Sequence, residues 1–520
     1  MDRDRYMAEL RQAPERFDLI VIGGGATGLG TALDAAARGY RTLLLEQDDF
    51  AKGTSSRSTK LVHGGVRYLQ QGNVSLVMEA LRERGRLLQN APHICHNQPF
   101  VVPIYDWWEG PFYGVGMKLY DMLAGKLGLG PSKLLSREAT LKMLPNVEPK
   151  GLKNGVIYYD GQFDDARLAI NLAQTIAAYG GVPLNYMRVT GLTKRGGLVQ
   201  GVRAVDAETG SEYEIDGRVV VNATGVYSDA VRQLDDPSEE RLIAPSQGVH
   251  LVLDASFLAG ETAIMVPRTA DGRVLFAVPW HGRTIVGTTD TEITTTPLEP
   301  TARADEIAFL LEHAAIYLAK DPTPADVLSV YCGIRPLVRS AGDKGTAALA
   351  RDHVLMISKS NLVTITGGKW TTYRKMAEDT VDAAALVGGL PERPSPTVDL
   401  RLHGWSKEPA NGADLLALYG ADAPAVRATL GEGSGWSERL HPNLPYHLGE
   451  AAWAARHEMA RTVEDVLSRR TRALLLDAAA SVEAAPAVAV ILAAELGRDQ
   501  GWIDAQIAAY RSVAANYMLS

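Results

Sequence analysis

FDLIVIGGGATGLGTALDAAARGYRTLLL, residues 17–45, is the stretch that decides the fold. Phe17 to Ile22 is short, apolar and followed at once by three glycines, which is typical of a buried parallel strand. Thr27 to Arg38 carries apolar residues at helical spacing and stops at Gly39, a favourable residue for a left-handed helix cap. A second apolar strand follows at Arg41 to Leu45. The stretch therefore predicts a βαβ unit.

Three glycines in this unit match a dinucleotide-binding pattern. Gly23, Gly25 and Gly28 would supply a tight turn, a surface without side chains for a pyrophosphate, and close packing of helix against strand. The helix N-terminus then faces the anion. Glu46 ends the second strand, where a carboxylate accepts hydrogen bonds from the ribose hydroxyls of an adenosine. A turn that merely needs glycine would explain the glycines alone, but not the strand, helix and acid around them.

FAD and NAD share this pattern, so later segments must separate them. Val219 to Asn222 forms an apolar strand that runs into Ala223 and Gly225, and Asn361 to Thr366 forms another that runs into Gly367, Gly368 and Lys369. Ordinary αβ punctuation would explain either turn alone. Three such turns in one sheet favour a cofactor held along its whole length, and we predict FAD. The cofactor candidates from the two later turns are Ala223, Gly225, Gly368 and Lys369.

Composition limits the class of protein. A length of 520 residues suggests two or three packed units, and a net charge of −8 argues against a general nucleic-acid binder. Two cysteines, Cys95 and Cys332, provide neither a disulfide framework nor zinc-ligand spacing, so we predict no metal. Met1 to Arg16 lacks the apolar core of a signal peptide. The apolar run Ala484 to Ala494 is shorter than the roughly 18 to 20 residues of a membrane span, and Pro486 interrupts it.

A longer motif carries a family resemblance. GTSSRSTKLVHGGVRYL, Gly53 to Leu69, resembles a signature of the FAD-dependent glycerol-3-phosphate dehydrogenases of the respiratory type. The resemblance runs from about Phe17 to beyond Asp477. Further matching segments follow in the same order, namely DDARL (164–168), ATG (223–225), SQGVHL (246–251), GTTD (287–290), GIRPL (333–337), GGKWTTYR (367–374) and EMARTVEDVLSRR (458–470).

The resemblance implies an α/β fold in which a glutathione-reductase-like, FAD-binding Rossmann domain carries an inserted α+β substrate domain and a helical C-terminal domain. We assign residues 17–90, 150–228 and 350–390 to the FAD domain. Residues 91–149 and 229–349 form the substrate domain, and 391–520 the helical domain. The implied reaction oxidises sn-glycerol 3-phosphate to dihydroxyacetone phosphate by hydride transfer to flavin N5. Electrons then pass to a membrane quinone.

A phosphorylated substrate in a partly dry pocket needs guanidinium or ammonium partners, and Arg has the better geometry for phosphate. Arg335 lies between Ile334 and Pro336 in a constrained turn, and the resemblance places it against the substrate. The alternative for any arginine is a surface or structural salt bridge. Further substrate candidates carried over from the matching motifs are Arg67, Tyr68, Arg351 and Lys369.

Oxidising an alcohol also needs a base, and histidine has the unperturbed pKa closest to neutrality. His250 opens the apolar strand His250 to Leu253, and the resemblance puts an active-site histidine here. His63, beside Gly64, is the alternative, and a water held by the arginines is another. We favour His250 as the base, with His63 and Gly64 lining the flavin. The predicted catalytic set is His250, Arg335 and Lys369.

Negative charge on the reduced flavin needs electrostatic help near N1. A helix that begins after Lys369 would direct its free amides, together with the lysine, at this edge. Thr54, Ser55 and Ser56 also suit contacts with flavin or pyrophosphate. The alternative for these three is a polar turn that caps the next helix.

A quinone partner requires contact with a membrane. The candidate is residues 105–129, which we expect to attach peripherally to the inner face of the cell membrane of a cytoplasmic enzyme. A buried helix of the substrate domain is the alternative. A glycerol-3-phosphate oxidase that uses O2, a dehydrogenase of another polyol phosphate such as erythritol 4-phosphate, and a non-catalytic flavin module also stay open, as does a homodimer. The residues that suggest the membrane contact are Trp107, Trp108, Phe112, Tyr113, Tyr120 and Leu123, with Lys118 and Lys126.

Overall fold

Two β-sheets and a set of helices make up the part of the chain that a computed structural model describes, residues 1–12, 16–65, 73–106, 109–266, 274–339, 353–407 and 415–519. The strands are β1 (Phe17–Ile22), β2 (Thr42–Leu45), β3 (Leu61–Val62), β4 (Cys95–Ile104), β5 (Lys133–Ser136), β6 (Asn154–Phe163), β7 (Val182–Leu184), β8 (Met187–Arg195), β9 (Leu198–Asp206), β10 (Glu212–Asn222), β11 (Ile243–Asp254), β12 (Ala263–Val266), β13 (Leu275–Trp280), β14 (Arg283–Gly287), β15 (Thr291–Glu292), β16 (Val327–Val338), β17 (His353–Ile357) and β18 (Val363–Gly367).

The described α-helices are Arg3–Gln12, Ala26–Ala37, Val74–Asn90, Glu109–Ala124, Arg137–Met143, Asp165–Ala178, Ser228–Asp235, Ala304–Tyr317, Tyr373–Gly388, Ala423–Leu430, Glu450–His457, Ala473–Leu476, Ala478–Leu496 and Gln500–Ala515. Short 3-10 helices occupy Thr54–Ser56, Gly125–Leu127, Gly225–Tyr227, Ala255–Phe257, Pro324–Asp326, Trp370–Thr372, Thr397–Asp399 and Leu415–Asp422, and Asp465–Arg470 is a π-helix.

The first sheet has the order β17-β18-β10-β1-β2-β7, with β8 and β9 extending from β10. β1 runs parallel to β2 and β10, and β10 runs parallel to β18. Leu19, Ile20 and Val21 of β1 are fully buried, as expected for a central strand of a covered parallel sheet. The predicted βαβ unit is confirmed, and both later strands return to this sheet as predicted. The carboxyl ends of β1, β10 and β18 therefore lie side by side.

The second sheet has the order β15-β11-β14-β13-β12-β4-β6-β3, and β16 pairs with β11. The structure corrects the predicted boundary at residue 150 in this sheet. β6 falls in the segment that we assigned to the FAD domain, yet it pairs with β4 along its whole length, from Cys95 opposite Phe163 to Ile104 opposite Asn154. β3 also pairs with β6 rather than with the first sheet.

The helical C-terminal region packs on the second sheet. Leu474 and Leu476 share a hydrophobic core with Val252 of β11 and Tyr331 of β16. The helix Glu450–His457 ends before a turn in which Met459 has a φ of 56°, and the π-helix follows.

Two terminal helices differ from expectation. Pro486 does not interrupt the late apolar run, which lies inside the continuous helix Ala478–Leu496. By length and composition this helix is long and apolar enough to cross a membrane, but half of its most apolar stretch is buried inside the protein. At the other end, Arg3–Gln12 is a helix that the sequence did not indicate. Its Arg3 forms a buried ion pair with Asp206 at 2.7 Å, which anchors the helix to β9.

Candidate functional site

A cavity of about 650 Å³ opens where β1, β10 and β18 end. Ligands of open α/β sheets bind at this edge of the strands. Of the residues that we predicted to hold a cofactor, the cavity is lined by Gly23, Gly25, Glu46, Thr54, Ser55, Ala223, Gly225, Gly368 and Lys369. Lining residues that the sequence did not single out include Arg188, Thr190, Tyr227, Leu298 and Pro336.

The glycines of the first turn are required by close backbone contacts. Gly23 has a φ of 108°, and a Cβ atom here would lie 2.7 Å from the carbonyl oxygen of Ala223. A Cβ on Gly28 would lie 1.9 Å from the carbonyl oxygen of Gly23. Gly28 does not line the cavity. It lets the helix Ala26–Ala37 approach β1, which leaves the turn open for a phosphate group.

Glu46 binds the backbone of the same turn. Its Oε2 accepts a hydrogen bond from the Gly24 amide at 2.6 Å, and its Oε1 accepts one from the Asp48 amide at 2.9 Å. Burial raises the pKa of Glu46 to about 7, against these two hydrogen bonds. The side chain lies on the cavity wall while it orders the turn.

The three hydroxyl residues of the predicted polar turn separate in the structure. The Thr54 hydroxyl donates to the Ile334 carbonyl at 2.5 Å, and the Ser55 hydroxyl accepts from the Ala26 amide at 2.9 Å, so both stay on the cavity wall. Ser56 is absent from the cavity lining. It is buried, and its carbonyl accepts from the Lys60 ammonium at 2.8 Å.

His63 and Gly64 were predicted to line the flavin, and they too are absent from the cavity lining. The Gly64 amide donates to the Tyr120 hydroxyl at 2.8 Å. A Cβ on Gly64 would lie 2.5 Å from that hydroxyl oxygen and equally close to Leu81. This glycine therefore allows close packing of Glu109–Ala124 against the motif.

His250 lies on β11 between β14 and β16 and is 2% exposed. Its Nε2 is 2.9 Å from the Thr59 hydroxyl oxygen, and its ring stacks on Tyr331 at 4.7 Å between centroids and 10° between planes. Burial, together with the positive charges of Lys60 and Arg335, lowers the pKa of His250 well below its usual value. The imidazole is therefore unprotonated at neutral pH, so that one ring nitrogen carries a lone pair.

Arg335, which we predicted to lie in a turn, lies on the strand β16. It is opposite Ser246, four residues along β11 from His250. Its guanidinium donates to the Thr289 carbonyl at 3.1 Å and to the Thr288 hydroxyl at 3.2 Å, and it lies 3.4 Å from the Asp290 carboxylate. About a quarter of the side chain is exposed. A partly exposed guanidinium is the kind of group that binds an anionic ligand.

Lys369 lines the cavity next to Gly368, which has a φ of 70°. It precedes the short helix Trp370–Thr372 and then Tyr373–Gly388, as the sequence predicted for the helix start. Arg67, Tyr68 and Arg351 lie outside the described residues.

Sequence reasoning missed four residues around His250, namely Thr59, Lys60, Asp165 and Tyr331. Thr59 and Lys60 were visible inside the quoted motif, next to the polar residues that were chosen. Lys60 is fully buried and forms an ion pair with Asp165 at 2.7 Å. The contact of Tyr331 with His250 depends on the register of β11 with β16, which local sequence does not report.

The predicted membrane segment is corrected at one position. Tyr120 is 1% exposed, and its hydroxyl donates to the Asp160 carboxylate at 2.9 Å, so it belongs to the core. Trp107 and Trp108 lie outside the described residues, as do the side chains of Phe112 and Tyr113. The same helix exposes Leu119 by 43% and Met122 by 76%.

Metal binding finds no support in the described part of the chain, where no three His, Cys, Asp or Glu side chains are grouped to hold an ion. His93 lies buried in a turn, and His96 lies in β4.

Protein-family comparisons divide the chain into two matched regions. A model described as FAD dependent oxidoreductase matches residues 18–374, and one described as the C-terminal domain of alpha-glycerophosphate oxidase matches residues 358–502. The mitochondrial glycerol-3-phosphate dehydrogenase of Macaca fascicularis is 41% identical, over 96% of this chain and 73% of the relative. The mitochondrial enzyme of the same name from Arabidopsis thaliana is also 41% identical, over 93% of this chain and 83% of the relative.

Solved structures agree with these relatives. The glycerol-3-phosphate dehydrogenase from Bacillus halodurans, solved as a complex with FAD, superimposes with a TM-score of 0.80 and 32% identity, covering 99% of this chain and 97% of the other. The L-alpha-glycerophosphate oxidase from Mycoplasma pneumoniae, with FAD bound, gives a TM-score of 0.59 at 16% identity, covering 76% of this chain and 99% of the other. The second likeness shows a shared fold alone.

Proposed function

The chain belongs to the FAD-dependent oxidoreductases and, within them, to the glycerol-3-phosphate dehydrogenases, and from this membership we propose the roles of its individual residues. FAD is the cofactor, and the reaction oxidises glycerol 3-phosphate to dihydroxyacetone phosphate. The observation that supports this reaction best is the junction between the cavity and His250. Residues 54–59 form one side of the cavity at Thr54 and Ser55 and contact His250 at Thr59.

The cavity fits the nucleotide part of FAD. Side chains at Gly23 and Gly28 would close the turn after β1, so the glycines keep a surface on which backbone amides reach a pyrophosphate. Glu46 would bind the ribose hydroxyls from the wall of the cavity. When bound, FAD supplies the hydride acceptor for the reaction.

The side chains around the junction bind the substrate, accept its proton and stabilise the negative charge that develops. Arg335 binds the phosphate of the substrate through its guanidinium, with Arg67, Tyr68 and Arg351 as further proposed contacts. His250 accepts the proton of the substrate hydroxyl at a ring nitrogen, because its imidazole is held neutral. Lys369 adds positive charge at the cavity wall, where it opposes the developing negative charge.

Anaerobic mixing of the holoprotein with glycerol 3-phosphate tests the reaction. We expect the yellow flavin absorbance to bleach, because the reaction reduces the cofactor. Glycerol is the control that lacks the phosphate, and erythritol 4-phosphate is the control for the carbon chain. Flavin that stays yellow with glycerol 3-phosphate contradicts the proposed reaction and favours a non-catalytic module. Faster bleaching with erythritol 4-phosphate reassigns the substrate.

The electron acceptor is proposed to be a quinone. The match of residues 358–502 to an oxidase domain makes O2 the competing acceptor. Flavin bleached by the substrate is therefore mixed with a soluble quinone analogue or with air. Rapid recovery of the colour with the quinone and slow recovery in air support a dehydrogenase, whereas rapid recovery in air with formation of peroxide supports an oxidase.

Contact with a quinone in a membrane is proposed for residues 105–129, at the inner face of the cell membrane. Leu119 and Met122 are exposed apolar residues of this segment. Replacement of both by Ser is expected to reduce pelleting of the protein with liposomes that contain anionic lipid. Leu386→Ser is the matched control, because Leu386 is 82% exposed on another helix. Equal pelleting of all three proteins removes this face from the proposal.

A further inference from the structure

The imidazole of His250 is held by one described hydrogen bond. Its Nε2 lies 2.9 Å from the Thr59 hydroxyl oxygen, whereas its Nδ1 is buried without a hydrogen-bond partner among the residues that the structure describes. Gly287 on β14 fits against the other edge of the ring, since a Cβ there would lie 2.2 Å from Cδ2. The ring orientation therefore depends on Thr59 and on stacking with Tyr331.

Lys60, the next residue, lies over the aromatic ring that stacks on His250. Its ammonium lies 5.0 Å from the centroid of the Tyr331 ring, which stacks on His250. A fully buried lysine loses its charge unless partners hold it. Asp165 at 2.7 Å and the Ser56 carbonyl at 2.8 Å are those partners.

Asp165 anchors the whole segment that carries both residues. Its carboxylate accepts from the Ser58 amide at 3.0 Å and the Ser58 hydroxyl at 2.7 Å, besides Lys60. Arg472 from the helical region approaches the same carboxylate at 3.2 Å and donates to the Ser56 carbonyl at 2.7 Å. Residues 56–60 are thus fixed by groups distant in sequence, which is the arrangement expected of a rigid support for a reacting group.

We propose that Thr59 and Lys60 are positioning residues for His250. The Thr59 hydroxyl fixes the orientation of the imidazole. The buried Lys60 ammonium, held by Asp165, opposes protonation of the imidazole. A neutral imidazole with a fixed ring is what a general base for the substrate hydroxyl requires. This inference rests on the proposed function, in which His250 is that base.

The charged groups that face His250 come from two elements. Lys60 contributes from the quoted motif and Arg335 from β16, and both positive charges lower the pKa of the imidazole, in addition to burial. β16 also contributes the uncharged Tyr331, and β14 contributes Gly287. Asp165 contacts Lys60, and Arg472 contacts Asp165, so these two groups affect the imidazole by holding the Lys60 ammonium.

Thr59→Val tests the hydrogen bond, because valine keeps the shape of threonine without its hydroxyl. We expect the rate of flavin reduction by glycerol 3-phosphate to fall by about 10- to 100-fold, with the substrate concentration for half-maximal rate unchanged. Thr59→Ser keeps the hydroxyl and is expected to restore most of the rate. FAD content and thermal unfolding of both variants show whether the fold is intact.

Two results overturn the role of Thr59. One is a valine variant that reduces its flavin at the wild-type rate. The other is a serine variant as slow as the valine variant, because the lost methyl group and not the hydroxyl would then be responsible.

The pH dependence of flavin reduction tests Lys60. Lys60→Met removes a positive charge near the ring, which raises the pKa of His250, so the acid limb of the rate profile moves to higher pH. Lys60→Arg keeps the charge and is expected to leave the limb in place. Because an unpaired Asp165 would be costly, Lys60→Met with Asp165→Asn provides a second variant that removes both charges. An acid limb unmoved in both Met variants overturns the electrostatic role.

The two levels of proposal fail in different ways. Wild-type flavin that glycerol 3-phosphate does not bleach refutes the proposed function. Wild-type flavin that bleaches, with Thr59→Val equal to wild type and with the acid limb unmoved in the Met variants, refutes only the positioning role.

Discussion

The cavity at the ends of β1, β10 and β18 and the pocket around His250 adjoin, but they obtain their polar groups in different ways. The cavity wall includes turns such as Gly23 to Gly25 that directly follow strands and present backbone. The pocket is built of side chains that meet from distant segments, since Thr59, His250 and Arg335 are far apart in the chain. Short-range geometry thus makes the cavity, whereas tertiary packing makes the pocket.

The helical region shows how the two places depend on each other. Asp49, just after Glu46, is buried between Arg469 and Arg470 of the π-helix, with contacts of 2.5 and 2.7 Å. These two arginines hold the pKa of Asp49 below its usual range. Docking of the helical region therefore supports the chain at Asp49, between the cavity-lining residues Gln47 and Ala51. It also supports the segment next to His250 through Arg472. A side chain added at a glycine of the turn after β1 should affect the cavity alone. Removal of a buried charge in the helical region should affect both the cavity and the His250 pocket.

The largest effect is expected from a side chain at Gly28. Its Cβ in Gly28→Ala would lie 1.9 Å from a backbone oxygen, so the turn after β1 must shift. We expect the purified protein to lose nearly all of its FAD, measured by absorbance after gel filtration. Gly53→Ala is the matched control, because Gly53 lines the same cavity with nothing within 4 Å of the added Cβ. Equal FAD content in both variants contradicts the backbone origin of the cavity.

A change of His250 should affect the reaction without affecting the cofactor. His250→Asn is expected to lower the rate of flavin reduction by about 100- to 10,000-fold, because the proton acceptor is lost, with FAD content retained. His63→Asn is the comparison, since His63 was the alternative base. A normal rate of flavin reduction in His250→Asn excludes His250 as the base. A large loss of rate in His63→Asn alone assigns the role of base to His63.

The same contrast explains which features the sequence indicated. The βαβ unit and the glycine turns were predictable because strand periodicity and glycine geometry are local. β6 was misassigned because its partner β4 lies about 60 residues earlier, and no local pattern reports which strands pair. Tyr120 was predicted to contact a membrane because the sequence of an aromatic helix face does not show which partner lies opposite. Here the tyrosine hydroxyl donates a hydrogen bond to the buried carboxylate of Asp160. Arg472 and Asp165 form an ion pair only because the helical region docks on the rest of the protein, and local sequence does not report this contact.

Removal of a buried charge should destabilise the protein and loosen its cofactor together. Arg470→Met leaves Asp49 with Arg469 as its ion-pair partner among the described residues, and we expect the free energy of unfolding to fall by about 3 to 5 kcal/mol in urea titrations. FAD retention should fall as well, since Asp49 follows the cavity wall. Arg195→Met is the control, because Arg195 pairs with Asp216 at an exposed site and should cost about 1 kcal/mol or less. If Arg470→Met keeps full stability, docking of the helical region through this ion pair does not support the cavity.

The smallest effect concerns Glu46 and pH. Burial raises its pKa to about 7 in the folded protein, above the ordinary carboxyl value of 4.5, so the folded state binds more protons than the unfolded state between these values. The free energy of unfolding of the FAD-free protein should therefore decrease as the pH rises from about 5 to 7. Because the side chain is only partly buried at the cavity wall, we expect this contribution to be about 1 to 2 kcal/mol.

Glu46→Gln removes the titrating group and should flatten that part of the stability curve by the same amount, measured by urea unfolding at a series of pH values. The glutamine can still accept a hydrogen bond from the Gly24 amide, so the turn after β1 should keep its shape. If the slope persists in Glu46→Gln, another group carries it. Protonation of Glu46 would then make no contribution to the stability of the cavity wall, in contrast with the buried charges that support the His250 pocket.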